Sequence, residues 1–173
     1  MSLFSGKYIF RKAVVHDIGR IMQIIDQAKE QMRREGSNQW NRNYPIEADI
    51  AGDISRSDGY VLQTSDGIII AYGAAVFTGE PAYSGIRGKW LSDSRYVVLH
   101  RLAVADEVKG KGVAYVFIQE VESLAAGKGV RSFRIDTRND NVRMLRVISR
   151  LGFTYCGEIY YLHGSRMAFE KFI

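Results

Sequence analysis

One cysteine, Cys156, occurs in the 173 residues. A single thiol excludes an intrachain disulfide and any thiolate cage for zinc. No apolar run approaches the length of a membrane span, and Met1 to Phe10 lacks the apolar core of a secretory leader. The chain therefore reads as cytoplasmic, with no membrane partner. His16, His100 and His163 have no metal-ligand spacing, and no acidic cluster suggests calcium or magnesium, so no metal is expected. Repeats, low-complexity tracts and interdomain linkers are also missing. The length suits one domain over residues 1–173 with a real core. The apolar share of 46% and the charged share of 25% are those of an ordinary soluble globular protein. The net charge of +5 favours an anionic small ligand. The basic residues are scattered rather than gathered with stacking aromatics, which argues against a nucleic-acid partner.

The pattern along the chain is α/β. Lys7 to Val14 reads as a first strand. Asp17 is placed to cap a helix to about Glu35, with Ile18, Ile21, Ile24, Ile25 and Ala28 inward. Gly36 to Tyr44 reads as a loop with Trp40 in an exposed context, and Pro45 as the first residue of a helix through Ile54. Gly59 to Ser65 and Ile68 to Thr78 form a hairpin across Asp66-Gly67. Gly79 to Ser94 is a long irregular linker. Tyr96 to Val104 is a central strand, Val113 to Ala126 a helix, and Arg131 to Thr137 the next strand. Asn141 to Leu151 is a short helix stopped by Gly152. Phe153 to Tyr161 and Arg166 to Phe172 close the sheet as a hairpin around His163-Gly164. The expected architecture is a mixed central sheet flanked by helices.

The most informative stretch is Val108-Lys109-Gly110-Lys111-Gly112-Val113-Ala114, between the central strand and a helix. Glycines at such a turn let the backbone approach a ligand and aim N–H groups at it. The positive end of the helix adds to this seat for a phosphate or pyrophosphate. A surface turn rich in Gly and Lys is the plain alternative. A Walker loop would need Ser or Thr after Gly-Lys, and the glycine spacing of a dinucleotide fingerprint is absent. The ligand reads as phosphate-bearing but neither ATP nor NAD.

Leu102-Ala103-Val104, a spacer, and Lys109 to Ala114 resemble the acetyl-CoA pyrophosphate loop, Arg/Gln-x-x-Gly-x-Gly/Ala, of the GNAT superfamily of N-acetyltransferases. Asn141 to Phe153 resembles that superfamily's Asn-led helix ending in Leu-Gly-Phe. The other elements follow in the same order. The resemblance implies a GNAT-like fold and acetyl-CoA as co-substrate. It implies that the strands ending at Val104 and Thr137 splay apart, with the pantetheine arm in the gap. It assigns cofactor binding to Leu102, Ala103, Val104, Lys109, Gly110, Lys111, Gly112, Val113, Ala114 and Asn141. Asn141 either meets the pantetheine arm or caps its helix.

Direct acetyl transfer needs a base for the protonated amine, a donor for the thioester carbonyl and an exit for the thiolate. The backbone amide near Leu102 would polarise the carbonyl. His100 is the leading base candidate, expected on the same strand face as Leu102; the alternative is a half-buried strand histidine bonded to a neighbour. Asp136, Glu80 and Glu158 are rival carboxylates. Many members of the superfamily carry a thiolate-facing tyrosine four residues before the helix-ending glycine, and this chain has Ile148 there. Tyr155, Tyr160 or Tyr161 then supplies the proton, or the thiolate leaves unassisted. Trp40, Tyr44, Glu80 and Tyr83 are expected near the acceptor, with Trp40 and Tyr44 alternatively anchoring a loop to the core. Arg143, Arg146 and Arg150 share a helix face that either attracts the CoA 3′-phosphate or is simply solvated. Cys156 reads as a small core residue.

The expected activity is transfer of acetyl from acetyl-CoA to the primary amine of a small-molecule or amino-acid-like acceptor, by a monomer or homodimer. A protein or peptide N-acetyltransferase and a non-catalytic acyl-CoA binder are the alternatives.

Overall fold

The computed structural model describes residues 7–173. The first six residues of the stretch read above for a leader thus lie outside the described residues. The chain forms two compact units, Met1–Ala75 with Arg101–Glu120, and Val76–His100 with Val121–Ile173.

In the first unit, β1 (Tyr8–Lys12), β2 (Gly59–Thr64) and β3 (Ile69–Val76) form an antiparallel meander, with Phe10 opposite Leu62 and Val61 opposite Tyr72. Helix α1 (Ile18–Arg34) follows from its sequence period. Ile21, Ile24 and Ile25 fall on one face and are fully buried, joined by Ile50, Val61, Tyr72 and Ala103. Gly36, at φ 77°, ends the helix in the left-handed conformation that glycine adopts at low cost. Asp17 does not cap α1. Its carboxylate takes Arg11 through two bonds of 2.8 and 3.0 Å and the Val14 N–H at 2.8 Å, closing a short 3-10 turn instead. The bond from Arg11 holds that carboxyl below the usual range.

Two loop expectations are corrected here. Trp40 is 7% exposed and packs in this core; a large ring in a long loop removes more apolar surface by folding inward than the loop loses by following it. Pro45 does not enter α2, which spans Glu47–Ser55 with Ile46 at its cap. Asp49 instead accepts the Ile46 N–H at 2.8 Å.

Strand β5 (Tyr96–Val104) passes from one unit to the other, and its last four residues belong to the first. There Ala105 N–H donates to Ile70 at 2.9 Å. Arg101 has φ 55°, a conformation unfavourable for a residue that carries a Cβ. Its guanidinium meets the fully buried Asp53 of α2 at 2.8 and 2.5 Å and donates to the Tyr44 hydroxyl at 2.9 Å. Tyr72 also donates to Asp53, at 2.5 Å. Burial works against the charge of Arg101, but Asp53 and Tyr44 together hold it charged.

The second unit has strand order β5, β6 (Ser132–Thr137), β8 (Gly164–Phe172), β7 (Thr154–Tyr161), β4 (Arg87–Gly88). β5 and β6 are parallel and the other pairs antiparallel, so the sheet is mixed. Helix α3 (Val113–Gly127) runs from the first unit into this one, and α4 (Val142–Arg150) buries Ile148 here. The stretch expected as an irregular linker carries a 3-10 turn, Pro81–Gly85, and β4. Gly88 and Gly157 face each other. A Cβ on either would lie 2.1 Å from a backbone oxygen of the opposite strand, so the pairing requires glycine twice.

The Glu170 carboxylate, fully buried, accepts from Ser132, from the Leu91 N–H at 2.6 Å and from Ser92 at 2.9 Å. Arg134 lies 3.4 Å from it and is stacked between Trp90 and Tyr96 at 4.2 and 4.0 Å. These contacts tie residues 90–92 to β6 and β8. Among the described residues no helix is long and apolar enough to cross a membrane.

Removing one partner of a buried ion pair leaves the other charge unpaid in a dry site. Asp53→Ala is expected to destabilise the protein by about 3–5 kcal/mol, read as a lower urea midpoint. Lys12→Ala, at an exposed strand end, should stay within about 0.5 kcal/mol.

Candidate active site

In the first unit the turn after β5 leads into the phosphate-loop candidate. Val108, Lys109 and Lys111 donate to Ala105, Asp106 and Val108 in successive tight turns. Gly110 and Gly112 have φ of 77° and 76°. A Cβ at either would meet open space, so these glycines serve conformation, not room. The first turn of α3 closes with Val116 N–H on Gly112 at 3.2 Å. The amides of Val113 and Ala114 precede that closure and lie at the positive end of a helix of fifteen residues. Val113 is 2% exposed, so its side chain is held in the core. This combination fits the oxygens of a pyrophosphate. Leu102, Ala103 and Val104 lie in the same unit, on the last residues of β5. The side chain of Lys109 turns back onto Gln31 and Asp106.

In the second unit the parallel ladder between β5 and β6 has three pairs and ends at Val98 opposite Arg134. Both strands continue past it, β5 through Leu99 and His100, and β6 through Ile135 to Thr137. The expected parting of these strands is present at that point. His100 Nε2 lies 3.0 Å from Glu80 Oε2, and both side chains are 18% exposed. Glu80 is itself fixed. Its Oε1 accepts the Ala82 N–H at 3.1 Å, and its N–H donates to the Tyr96 hydroxyl at 3.2 Å. The half-buried, bonded histidine weighed from sequence is therefore what the strand holds, with a carboxylate as its neighbour. His100 and Leu102 do not follow simple alternation, because the left-handed Arg101 between them breaks the two-residue period.

Asp136 sits beside this pair. One of its oxygens accepts from Tyr83 at 2.7 Å and from Tyr161 at 3.0 Å. Burial pushes its carboxyl above the usual range, and the charge of His100 works the other way. Burial and Asp136 likewise push both phenols upward, so Tyr83 and Tyr161 stay protonated as donors.

Three tyrosines on β7 were candidates for a proton donor, and Tyr161 is the one bonded to Asp136. Tyr155 is 52% exposed and packs edge-on against Phe169. Tyr160 donates to Glu158 at 2.9 Å and lies under Arg87. Tyr160 is next to Tyr161 and falls on the other face by ordinary alternation; Tyr155 is put out of step by a bulge between Tyr155 and Gly157, where both Cys156 and Gly157 are buried. Glu158 is engaged with Tyr160. Cys156 is buried, and burial raises its thiol, which suits a core residue.

Asn141 Oδ1 accepts the Met144 N–H at 3.2 Å, so it caps α4. Trp40 belongs to the core and Tyr44 to the Arg101 group; both are loop anchors in the first unit. Tyr83 is 2% exposed, tilted against Trp90 and stacked on Tyr96, and Glu80 and Tyr83 border a cavity of about 310 Å³ with Trp90, Asp93, Tyr96 and Arg134. Sequence reasoning passed over Trp90 and Arg134. An aromatic in a linker and an arginine inside an apolar strand were the signals. Among the described residues no group of His, Cys, Asp and Glu is arranged to hold a metal.

Comparisons with known proteins point to one family. The family model described as Acetyltransferase (GNAT) family matches residues 22–153. An acetyltransferase of the GNAT family from Streptococcus agalactiae is 34% identical, with 96% of this chain and 95% of that one covered and a TM-score of 0.87. A GNAT-family acetyltransferase from Listeria monocytogenes is 19% identical over 96% and 95% of the two chains, with a TM-score of 0.77. The structure of yncA from Salmonella typhimurium, solved with its cofactor acetyl-CoA, is 14% identical over 96% and 94%, with a TM-score of 0.68. No match is found among curated proteins. With its α/β fold, its sheet flanked by helices and a family match over most of its length, the chain belongs to the GNAT family of acetyltransferases.

Proposed function

We propose that the chain acts as one N-acetyltransferase domain, moving the acetyl group of acetyl-CoA to the primary amine of a small-molecule or amino-acid-like acceptor. The observation that carries this reading is the His100–Glu80 pair where β5 leaves β6. It supplies a proton acceptor two residues along the chain from the backbone at Leu102. The turn from Lys109 to Ala114 supports the cofactor half of the reading, since its geometry suits a pyrophosphate. The structure of yncA with acetyl-CoA supports the choice of cofactor by fold. Glu80 and Asp93 on the cavity wall, with Arg134 already balanced by Glu170, favour an acceptor that arrives as an ammonium ion.

Acetyl-CoA supplies an activated thioester; the chain supplies position and proton transfer. A proton on His100 Nε2 faces Glu80, which leaves the Nδ1 lone pair to take the amine proton. Glu80 and the nearby Asp136 stabilise the imidazolium that results. The freed nitrogen attacks the carbonyl carbon while the backbone amide near Leu102 holds the developing oxyanion. The C–S bond then breaks. Tyr161, a phenol held protonated beside Asp136, is the group this chain offers to a departing thiolate in place of one at Ile148.

Three measurements test this reading. Gly112→Val forces a β-branched residue into positive φ and should weaken acetyl-CoA binding at least tenfold by calorimetry on the folded variant. Unchanged affinity would remove the loop from the cofactor site.

His100→Gln should lower turnover, read by free-thiol release, by roughly 10²-fold with little change in acetyl-CoA affinity. The acidic limb of the pH–rate profile should go with it. Full activity and an unaltered profile would pass the role to a carboxylate.

Tyr161→Phe should slow the single-turnover rate with acetyl-CoA bound, whereas Tyr155→Phe and Tyr160→Phe should not. Three wild-type rates would leave the thiolate to depart unassisted.

A further inference from the structure

A half-buried side of α1 carries polar side chains that the reaction does not use. Gln27 and Gln31, four residues apart, lie on one side of the helix. Gln27 Oε1 accepts the Asp106 N–H at 2.9 Å. Gln31 Oε1 accepts from the Lys109 ammonium, which also bonds Asp106. One helical turn or two earlier, Arg20 donates to Ile69 at 3.1 Å and pairs with Glu107. Three of the four residues before Gly110, namely Asp106, Glu107 and Lys109, are thus held to α1. All of these residues belong to the first unit.

This arrangement separates the two lysines of the loop. The Lys109 charge is already met by Asp106, and its side chain is only 24% exposed. Lys111, beyond Gly110, is exposed. The two glycines that flank it hold the chain in left-handed turns. Resting on the reading of this loop as the pyrophosphate seat, we infer that Lys109 is a strut joining the loop to α1, and that Lys111 is the lysine whose charge meets the phosphates. Gln27 and Gln31 are then positioning residues for cofactor binding. They touch no ligand; they set the direction of the amides that do.

The strut makes a distinctive demand. Gln31 is neutral, so its loss cannot alter the attraction between the loop and an anion except through shape. Gln31→Ala and Lys109→Met should therefore weaken acetyl-CoA binding by a similar factor, about three- to tenfold for one lost hydrogen-bonding partner. The double variant should be no weaker than the worse single variant, because both remove the same link. Gln31→Glu keeps an acceptor oxygen for Lys109, so hydrogen exchange of the loop amides should stay nearer the wild-type rate than in Gln31→Ala. Lys111→Met should weaken binding and also flatten its salt dependence, while Lys109→Met leaves the salt dependence near that of the wild type.

Calorimetry with acetyl-CoA at low and raised salt reads these outcomes. In the free protein, hydrogen exchange of the Val108, Lys109 and Lys111 amides should quicken in Gln31→Ala, with no cofactor present. Lys109→Met flattening the salt dependence while Gln31→Ala binds normally would overturn the inference and make Lys109 the phosphate contact. Unchanged exchange in Gln31→Ala would overturn the strut independently. If Gly112→Val binds acetyl-CoA as well as the wild type does, the pyrophosphate seat itself is lost, and the exchange result still decides whether α1 holds the loop.

Discussion

Asp53 has no access to water, so its charge has to be answered from within. Arg101 answers it with two nitrogens and Tyr72 with a hydroxyl. Much else follows from that pairing. Arg101 can reach Asp53 while its backbone sits in a left-handed turn, a conformation that costs on the order of 1–3 kcal/mol outside glycine and persists only where the surroundings over-determine it. The surroundings here are α2, β3 and the loop at Tyr44, all of which bond to one guanidinium or its partner. The irregularity in β5 is therefore built, and it falls between His100 and Leu102.

The second unit shows the complementary device. Parallel strands that pair along their whole length leave no room for a ligand and no unpaired edge. β5 and β6 pair for three residues only, then separate. Side chains past that point are held by other means: His100 by Glu80, and Asp136 by two phenols. Glu80 is in turn held by the Ala82 amide of a 3-10 turn. A site in which each polar group is fixed by a neighbour that is itself fixed loses little energy to reorganisation when charge moves.

Much of this was legible in the residues. The ends of β5 are where the apolar run Tyr96 to Val104 begins and stops, because a buried strand has little freedom in its composition. The glycine-lysine turn and the Asn-led helix were readable because backbone conformation and capping have local chemical signatures, and both signatures are met. The failures share a cause. Arg101 in positive φ has no local signal, since only the distant Asp53 explains it. Trp40 looked exposed because its neighbours Asn41, Arg42 and Asn43 are polar, whereas its own position is set by Ile21, Ile24 and Ile50. Tyr155 and Tyr161 would share a strand face by counting in twos; the bulge at Cys156 undoes the count. Pro45 suited a helix start by type, but Ile46 and Asp49 make the cap.

The two-residue strand β4 looks negligible beside its neighbours, yet it lies against β7, the last long strand of its unit's sheet. An unpaired strand edge is a template on which another chain can add itself. Arg87 and Gly88 occupy the middle of that edge, at Glu158 and Gly157, and the paired glycines bring the two backbones too close for any side chain to intervene. Trp90, stacked on Arg134, anchors the segment just beyond. The segment that brings Glu80 to His100 thus also covers the middle of the β7 edge, so one stretch of chain serves both a side-chain pair and the end of a sheet.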